Sequence, residues 1–358
     1  MRYNVAIIGQ SGVGKSSLVN YLFGEEIRKT GNGEPVTERG FHPASFQLDE
    51  LPLMIYDSWG LEPDKAKEWM SDLKGTLYTR GVDKSPDEWM HSIFFCIAAS
   101  KYRVQDFELE IIKRIIEANC PVTVLFTKAD NIPDDKIESL KQEITNAFGK
   151  KVNTVKVCSV AKPTRRGRIE PFGKAEIKQE ISEHFRMAMT KRLPKRCMYK
   201  LTEYVSKWEE TEKEFLRNNT GLFSRKKPYI QMQEHTQKLI NDLNSGLIER
   251  IVFQEIESTV RMYQFLFEKL NLDSGLPVPK ISKSNLELNM KEYNMKDTFS
   301  RILVNIVFPI GIFFTKDVNY EDLCKELKGY TARIQLELKE LQPFIRKSIK
   351  GILDAAYA

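Results

Sequence analysis

Eight residues near the start constrain this chain more than any others. Gly9-Gln10-Ser11-Gly12-Val13-Gly14-Lys15-Ser16 follows the apolar run Val5-Ala6-Ile7-Ile8 and leads into Ser17-Leu18-Val19-Asn20-Tyr21-Leu22-Phe23. A β-branched strand, a glycine-rich turn and a helix start, in that order, are the setting of a phosphate-binding P-loop. Glycines let backbone N–H groups turn inward around an anion, and the helix that begins there adds the positive end of its dipole. Lys15 is expected to reach the β- and γ-phosphates and the Ser16 hydroxyl to hold Mg²⁺, with Ser17 closing the candidate segment.

Downstream, Lys29 to Gly40 is polar and glycine-bearing and reads as a loop. A segment that closes over a γ-phosphate needs a hydroxyl ligand for Mg²⁺, and Thr37 is the candidate, with Thr30 the alternative nearer the preceding helix. Phe41 to Leu48 reads as a strand. Leu51 to Tyr56 is a second, almost wholly apolar strand ending in Asp57-Ser58-Trp59-Gly60. An acid at the carboxyl end of a buried strand, three residues before a glycine, is a D-x-x-G arrangement, significant one strand pair after a P-loop. Asp57 is expected to hold Mg²⁺ through water, and the Gly60 N–H to touch the γ-phosphate. Lys15, Thr37 and Gly60 are thus the groups expected around the reacting phosphate.

Glu62 to Gly81 has helical spacing with Trp69, Leu73 and Leu77, and Ser92 to Ala99 reads as a buried central strand. Trp69 and Trp89 suit a core or a contact surface, the core being the commoner use. Asp106 to Ala118 is amphipathic, and Pro121 to Phe126 is the next buried strand. At its end stands Thr127-Lys128-Ala129-Asp130. A carboxylate at Asp130 can accept both N–H groups on guanine's Watson–Crick edge while the Lys128 stem packs along the base, and adenine offers no such pair of donors. Asp134 to Phe148 is a further helix, and Val152 to Val157 a last strand running into Cys158-Ser159-Val160-Ala161-Lys162. Ser159 and Val160 occupy the place of a loop whose N–H groups meet the guanine carbonyl. Glu176 to Lys191 closes the region as a helix.

The ordered set over residues 1 to about 190 resembles a translation-factor-class GTPase domain. Gly14-Lys15-Ser16-Ser17-Leu18-Val19-Asn20 is similar to the Era-like and ribosome-binding group, and Met90 to Ile97 with Gln105-Asp106-Phe107 is similar to septins and immunity-associated GTPases. The resemblance implies GTP/GDP switching with Mg²⁺ and a homodimer through the nucleotide face. Gly12 stands where potassium-activated Era-like relatives place Asn, which argues against potassium dependence. Leu61 stands where many small GTPases place a glutamine, and a leucine has no group to position water. Slow hydrolysis by the isolated chain, accelerated by a partner or a second copy, is therefore expected.

Beyond Leu193-Pro194 the strand pattern gives way to helical periodicity over Met198 to Arg217, Ile230 to Leu270 and Asn319 to Ile352, with breaks near Gly221, Asn271 to Lys280 and Pro343. The expected architecture is an α/β G domain over 1–190, a mostly parallel sheet flanked by helices, followed by an all-α bundle over 191–358. Ile302 to Phe314 is the most apolar run, but crossing a bilayer takes about 20 such residues. A buried place in the bundle is the first reading and a dip into a membrane surface the second. Net charge is +6 among many acids, so nothing compels a nucleic-acid partner; Arg165, Arg166, Arg168 and Lys191 to Arg196 are only loose basic clusters for RNA or a ribosome. Five scattered cysteines and four dispersed histidines point to buried thiols and away from a disulfide framework or a His/Cys metal site. Met1-Arg2-Tyr3-Asn4 runs straight into the first strand, so a cytoplasmic protein without a targeting segment is expected. The effector protein is not legible in the residues.

Overall fold

The computed structural model describes residues 2–24, 41–48, 51–58, 66–164, 167–220, 227–269 and 319–357. Thr30, Thr37, Gly60, Leu61, Arg165, Arg166 and the apolar run 302–314 lie outside them.

A six-stranded sheet organises the first half, in the order β2-β3-β1-β4-β5-β6. Its strands are β1 (Tyr3–Gly9), β2 (Phe41–Leu48), β3 (Leu51–Ser58), β4 (Ser92–Ala98), β5 (Val122–Thr127) and β6 (Asn153–Lys156). β2 pairs antiparallel with β3, and every other neighbouring pair is parallel. Parallel strands need crossover helices on the sheet faces, so central strands are buried on both sides and read as unbroken apolar runs. β1, β4 and β5 are buried at every position, whereas the edge strand β6 buries only Val155. That edge is shorter than the Val152 to Val157 expected from sequence, because Val152 and Val157 are buried flanks outside the ladder.

Crossovers are made by α1 (Lys15–Phe23), α2 (Ala66–Tyr78), α3 (Asp106–Glu117) and α4 (Asp134–Phe148), and α5 (Lys174–Met187) follows the last strand. One core cluster joins Trp69, Leu73 and Leu77 of α2, Ile111, Ile112 and Ile115 of α3, and Ile137, Leu140 and Ile144 of α4 to the sheet residues Ile8, Phe95, Ile97, Val124 and Phe126. Trp69 and Trp89 are both buried, which resolves their two readings in favour of the core. Trp89 also carries a cation: the buried Arg192 guanidinium lies 4.5 Å from its ring centroid and donates to the carbonyls of Met90 (2.8 Å) and Arg80 (2.9 Å).

Two imidazoles sit in this core. The Asn4 N–H donates to His91 Nδ1 (2.9 Å) while His91 Nε2 meets the Pro86 carbonyl at 3.0 Å. His184 Nδ1 lies 2.8 Å from Ser92 Oγ, and its Nε2 lies 3.0 Å from Thr123 Oγ1, which donates to Glu180 (2.7 Å). For His91, a nitrogen already facing a donor cannot take a proton without losing that bond. Burial pushes both rings down to about 3, so they are neutral at physiological pH.

The chain divides into two compact units: residues up to Arg192 together with the segment from Arg261, and Leu193–Val260 together with the segment from Val278. Within the first, Tyr263 and Phe267 pack on Phe185 with centroid separations of 4.6 and 5.6 Å, so the sheet unit uses aromatics from beyond residue 190. The second contains α6 (Leu193–Asn219), α7 (Lys227–Asp242), the first part of α8 (Ile248–Lys269), α9 (Tyr320–Lys339) and α10 (Gln342–Tyr357). Leu216, Met232, Leu323, Leu327 and Tyr330 form a buried cluster there. Polar groups cross-link it: Thr331 donates to Glu209 (2.6 Å) and the Tyr229 hydroxyl to Glu326 (3.1 Å). The unbroken helix expected over Ile230 to Leu270 is interrupted at Ser245 and Gly246, whose φ of 114° only glycine adopts without strain. No helix among the described residues is long and apolar enough to cross a membrane.

Candidate functional site

Parallel pairing carries the carboxyl ends of β1, β4 and β5 to one edge of the sheet, where ligands of open α/β sheets bind. β1 ends at Gly9, whose φ is 148°. A Cβ there would lie 2.3 Å from the Cys96 carbonyl oxygen of β4, so only a hydrogen fits. The loop then turns through Gly14, left-handed at φ 98° and ψ 23°, which serves as N-cap of α1. The Gly14 carbonyl accepts the Leu18 N–H at 3.0 Å, so helical bonding starts directly from the loop. Lys15 Nζ donates to the carbonyls of Gly9 and Gln10, each at 3.0 Å, which holds an ammonium over the loop. Val13 is buried beneath, Ser11, Gly12 and Ser16 are exposed, and Ser17 is half-buried. A glycine-turned loop at a helix start, with exposed serines and a held cation, suits a polyphosphate.

The second motif is tied to the first across more than a hundred residues. Thr127 Oγ1 at the end of β5 donates to the Val13 carbonyl at 2.6 Å and shares its hydrogen with the Ile97 carbonyl at 3.3 Å. Lys128 adopts a left-handed backbone (φ 55°) and stretches its stem across the loop, where Nζ donates to the Gly12 carbonyl at 2.6 Å. Its Cε would lie 3.7 Å from a Cβ placed on Gly14. Thr127 therefore staples the two loops through its side chain, and Lys128 spans from the phosphate segment to the Asp130 turn.

Asp130 has a side chain only 2 % exposed, and its Oδ2 accepts from Lys162 Nζ at 2.8 Å. Burial, the largest influence, opposes its charge, but the Lys162 hydrogen bond and charge, its own backbone N–H and the Cys158 thiol together outweigh that and hold the carboxyl below the ordinary range. Lys162 is raised in turn, first by the same bond. The Asp130 turn is anchored to the end of β6 by Ala129 N–H to the Val157 carbonyl (3.1 Å), and Val157 N–H donates to Phe126 (2.8 Å). Beyond it the Cys158 thiol, pushed up by burial, donates to the Val160 carbonyl at 3.2 Å. Ser159 is half-buried and Val160 is 51 % exposed, both at this end of the site.

Asp57 stands at the carboxyl end of β3, in register with Ile7 of β1 and His42 of β2, two residues before the P-loop begins on the neighbouring strand. Ser16, the other residue expected to meet Mg²⁺, lies on the first turn of α1. Thr37 and Gly60 belong to segments outside the described residues.

Two residues at the site are not among the candidate binding residues read from the sequence. Gln105 accepts from Gln10 Nε2 at 3.0 Å and caps α3, its own N–H donating to Glu108 at 3.0 Å; the Gln-x-x-Glu spacing is the available signal. Lys162 sits on a hairpin of β7 (Lys162–Thr164) and β8 (Gly167–Ile169) where a short loop was expected. Arg168 of that hairpin is paired with Glu170 at 3.0 Å.

Residues 4–128 match the profile of a family described as 50S ribosome-binding GTPase, a span running from β1 through the P-loop to Lys128. The amino-terminal region is a P-loop GTPase domain. Among curated proteins, the GTPase domain is similar to GTPase Era of Caldicellulosiruptor saccharolyticus, 28 % identical over 137 residues, 38 % of this chain and 43 % of that protein. It is similar also to the probable GTP-binding protein EngB of Christiangramia forsetii, 28 % identical over 159 residues, 40 % of this chain and 71 % of that one. Septin-9 of Rattus norvegicus is 24 % identical over 168 residues, 40 % of this chain and 29 % of that one. The chain thus spans less than half of the Era relative, and these similarities bear on its GTPase domain.

Proposed function

We propose that this chain is a guanine-nucleotide switch: it binds GTP and GDP with Mg²⁺, hydrolyses GTP slowly on its own, and passes the nucleotide state to its helical unit. The observation that carries the reading is the stapling of the T-K-A-D turn onto the P-loop, Thr127 to Val13 and Lys128 to Gly12, each at 2.6 Å. One rigid framework then offers phosphate-binding amides at one end and the Asp130 carboxylate at the other, which is the chemistry of a guanosine polyphosphate. Mg²⁺ when bound supplies charge neutralisation between the β- and γ-phosphates. Ser16, Asp57 and Thr37 are its proposed protein ligands, Lys15 the phosphate cation, and Gly60 the sensor of the terminal phosphate. Leu61 in the place of a water-orienting side chain is the basis for low intrinsic turnover, with acceleration by a partner or by a second copy across the nucleotide face.

Calorimetric titration of the full chain with GDP, a non-hydrolysable GTP analogue and ATP, each with Mg²⁺, tests the reading. Binding of both guanine nucleotides and none of ATP is expected; preference for ATP, or no binding of either guanine nucleotide by folded protein, overturns it. The septin similarity makes pairing a specific second expectation. Sedimentation with the GTP analogue against GDP reads it directly, larger particles with the analogue supporting pairing and unchanged monomers opposing it.

A further inference from the structure

The buried carboxylate that reads the base is not left to itself. The Asp130 side chain is 2 % exposed and its partner Lys162 is 47 % exposed, with Nζ 2.8 Å from Oδ2. Lys162 does not reach it from a loose tail. It is carried by the β7–β8 hairpin, whose base is closed by reciprocal bonds between Cys158 and Phe172 (3.1 and 2.9 Å). Gly173, directly after, is left-handed at φ 100°, and a Cβ there would lie 2.7 Å from the Lys156 carbonyl. Lys174 then donates to the Tyr21 carbonyl of α1 at 3.1 Å. The excursion from residue 158 to 172 is thus pinned at both of its feet to the framework of the nucleotide site.

We propose that Lys162 is a positioning residue for guanine recognition, holding the Asp130 carboxylate in the orientation that presents both oxygens to the two N–H donors of the base. The inference rests on the assignment of Asp130 as the base-reading group. A carboxylate offers about four lone-pair directions, and Lys162 takes one of them, on Oδ2. Without the ammonium, a carboxylate buried to this degree loses its compensating charge and either takes up a proton or turns away. Each outcome costs guanine one of its two acceptors. A base with a single donor on that edge loses less, so the signature is selectivity rather than affinity alone.

The test uses Lys162→Met, which keeps the aliphatic stem, and Lys162→Arg, which keeps the charge, in the full chain. GDP and IDP, the latter lacking the 2-amino donor, are titrated against each. GDP affinity is expected to fall about tenfold in Lys162→Met and IDP affinity about threefold or less, so that the preference for GDP shrinks. Lys162→Arg should restore it, and in an Asp130→Asn background Lys162→Met should add no further loss. An unchanged GDP-to-IDP ratio in Lys162→Met, whether both constants hold or both fall together, overturns the role of Lys162. Wild-type protein without a preference for GDP over IDP and ADP overturns instead the assignment of Asp130, and the proposal with it.

Discussion

The two ends of the nucleotide site are made of different material. At the phosphate end the shape is a property of the backbone: Gly9 and Gly14 occupy conformations closed to side chains, and Lys15 is held by main-chain carbonyls of its own loop. At the proposed base end the working group is a side chain, Asp130, which pairs with another side chain 32 residues away. An end built from backbone depends on a few adjacent residues and is indifferent to which base is attached. An end built from paired side chains is expected to carry the selectivity, and it depends on how distant segments pack.

That contrast has its largest consequence in binding. Lys15→Ala should weaken GDP, IDP and XDP alike by about 1,000-fold, because the lost cation meets phosphate in all three. Asp130→Asn should weaken GDP by about 100-fold and improve xanthine nucleotides, whose base offers an acceptor where guanine has an amino group. Calorimetry with the three diphosphates reads both. A base-dependent loss in Lys15→Ala, or a uniform loss in Asp130→Asn, would break the division between the ends.

Stability should respond to the phosphate end in proportion to backbone constraint. Gly9→Ala places a methyl group against the Cys96 carbonyl in a forbidden conformation and should cost about 3–4 kcal/mol. Gly14→Ala has room, its nearest neighbour being 3.7 Å away, and should cost only the left-handed φ, about 1–2 kcal/mol. Urea unfolding of both variants measures the difference, and equal costs would mean that the β1–β4 approach is not tight.

The smallest effect belongs to the core under both ends. Unfolded histidine takes a proton at its ordinary value near 6.5, whereas His91 and His184 refuse one until about 3. Between those values the unfolded chain binds more protons, so stability rises with pH across the window and is lost as pH falls through it. The slope is about 1.4 kcal/mol per pH unit for each ring. Unfolding free energies measured around pH 5 should have their pH slope reduced by about that amount in His184→Gln. An unchanged slope would place the proton uptake elsewhere.

Legibility follows the same division between local and distant causes. The apolar runs of β1, β4 and β5 and the amphipathic Asp134 to Phe148 are visible in sequence because burial on two faces, or on one helical stripe, dictates residue type position by position. The interruption at Gly246 has a signal in Asn244-Ser245-Gly246, but the apolar spacing continues on either side of it and hides the break. The hairpin bearing Lys162 has strands of three residues each, too short for periodicity to register. Nor does any pattern near Arg192 announce that its guanidinium will stack on Trp89 and bond to two carbonyls about a hundred residues back.

By itself, the order of residues determined the glycine-turned loop, the succession of strands and helices, and the presence of a carboxylate suited to guanine after β5. Those are consequences of conformational freedom and hydrophobic period acting over a few neighbouring residues. Tertiary structure alone decided that Thr127 and Lys128 would grip the P-loop, that Lys162 would pair with Asp130, and that two histidines would be sealed in as neutral rings. Such contacts join residues tens to more than a hundred positions apart, and their geometry exists only once the parallel strands have found their register and the core has closed around them.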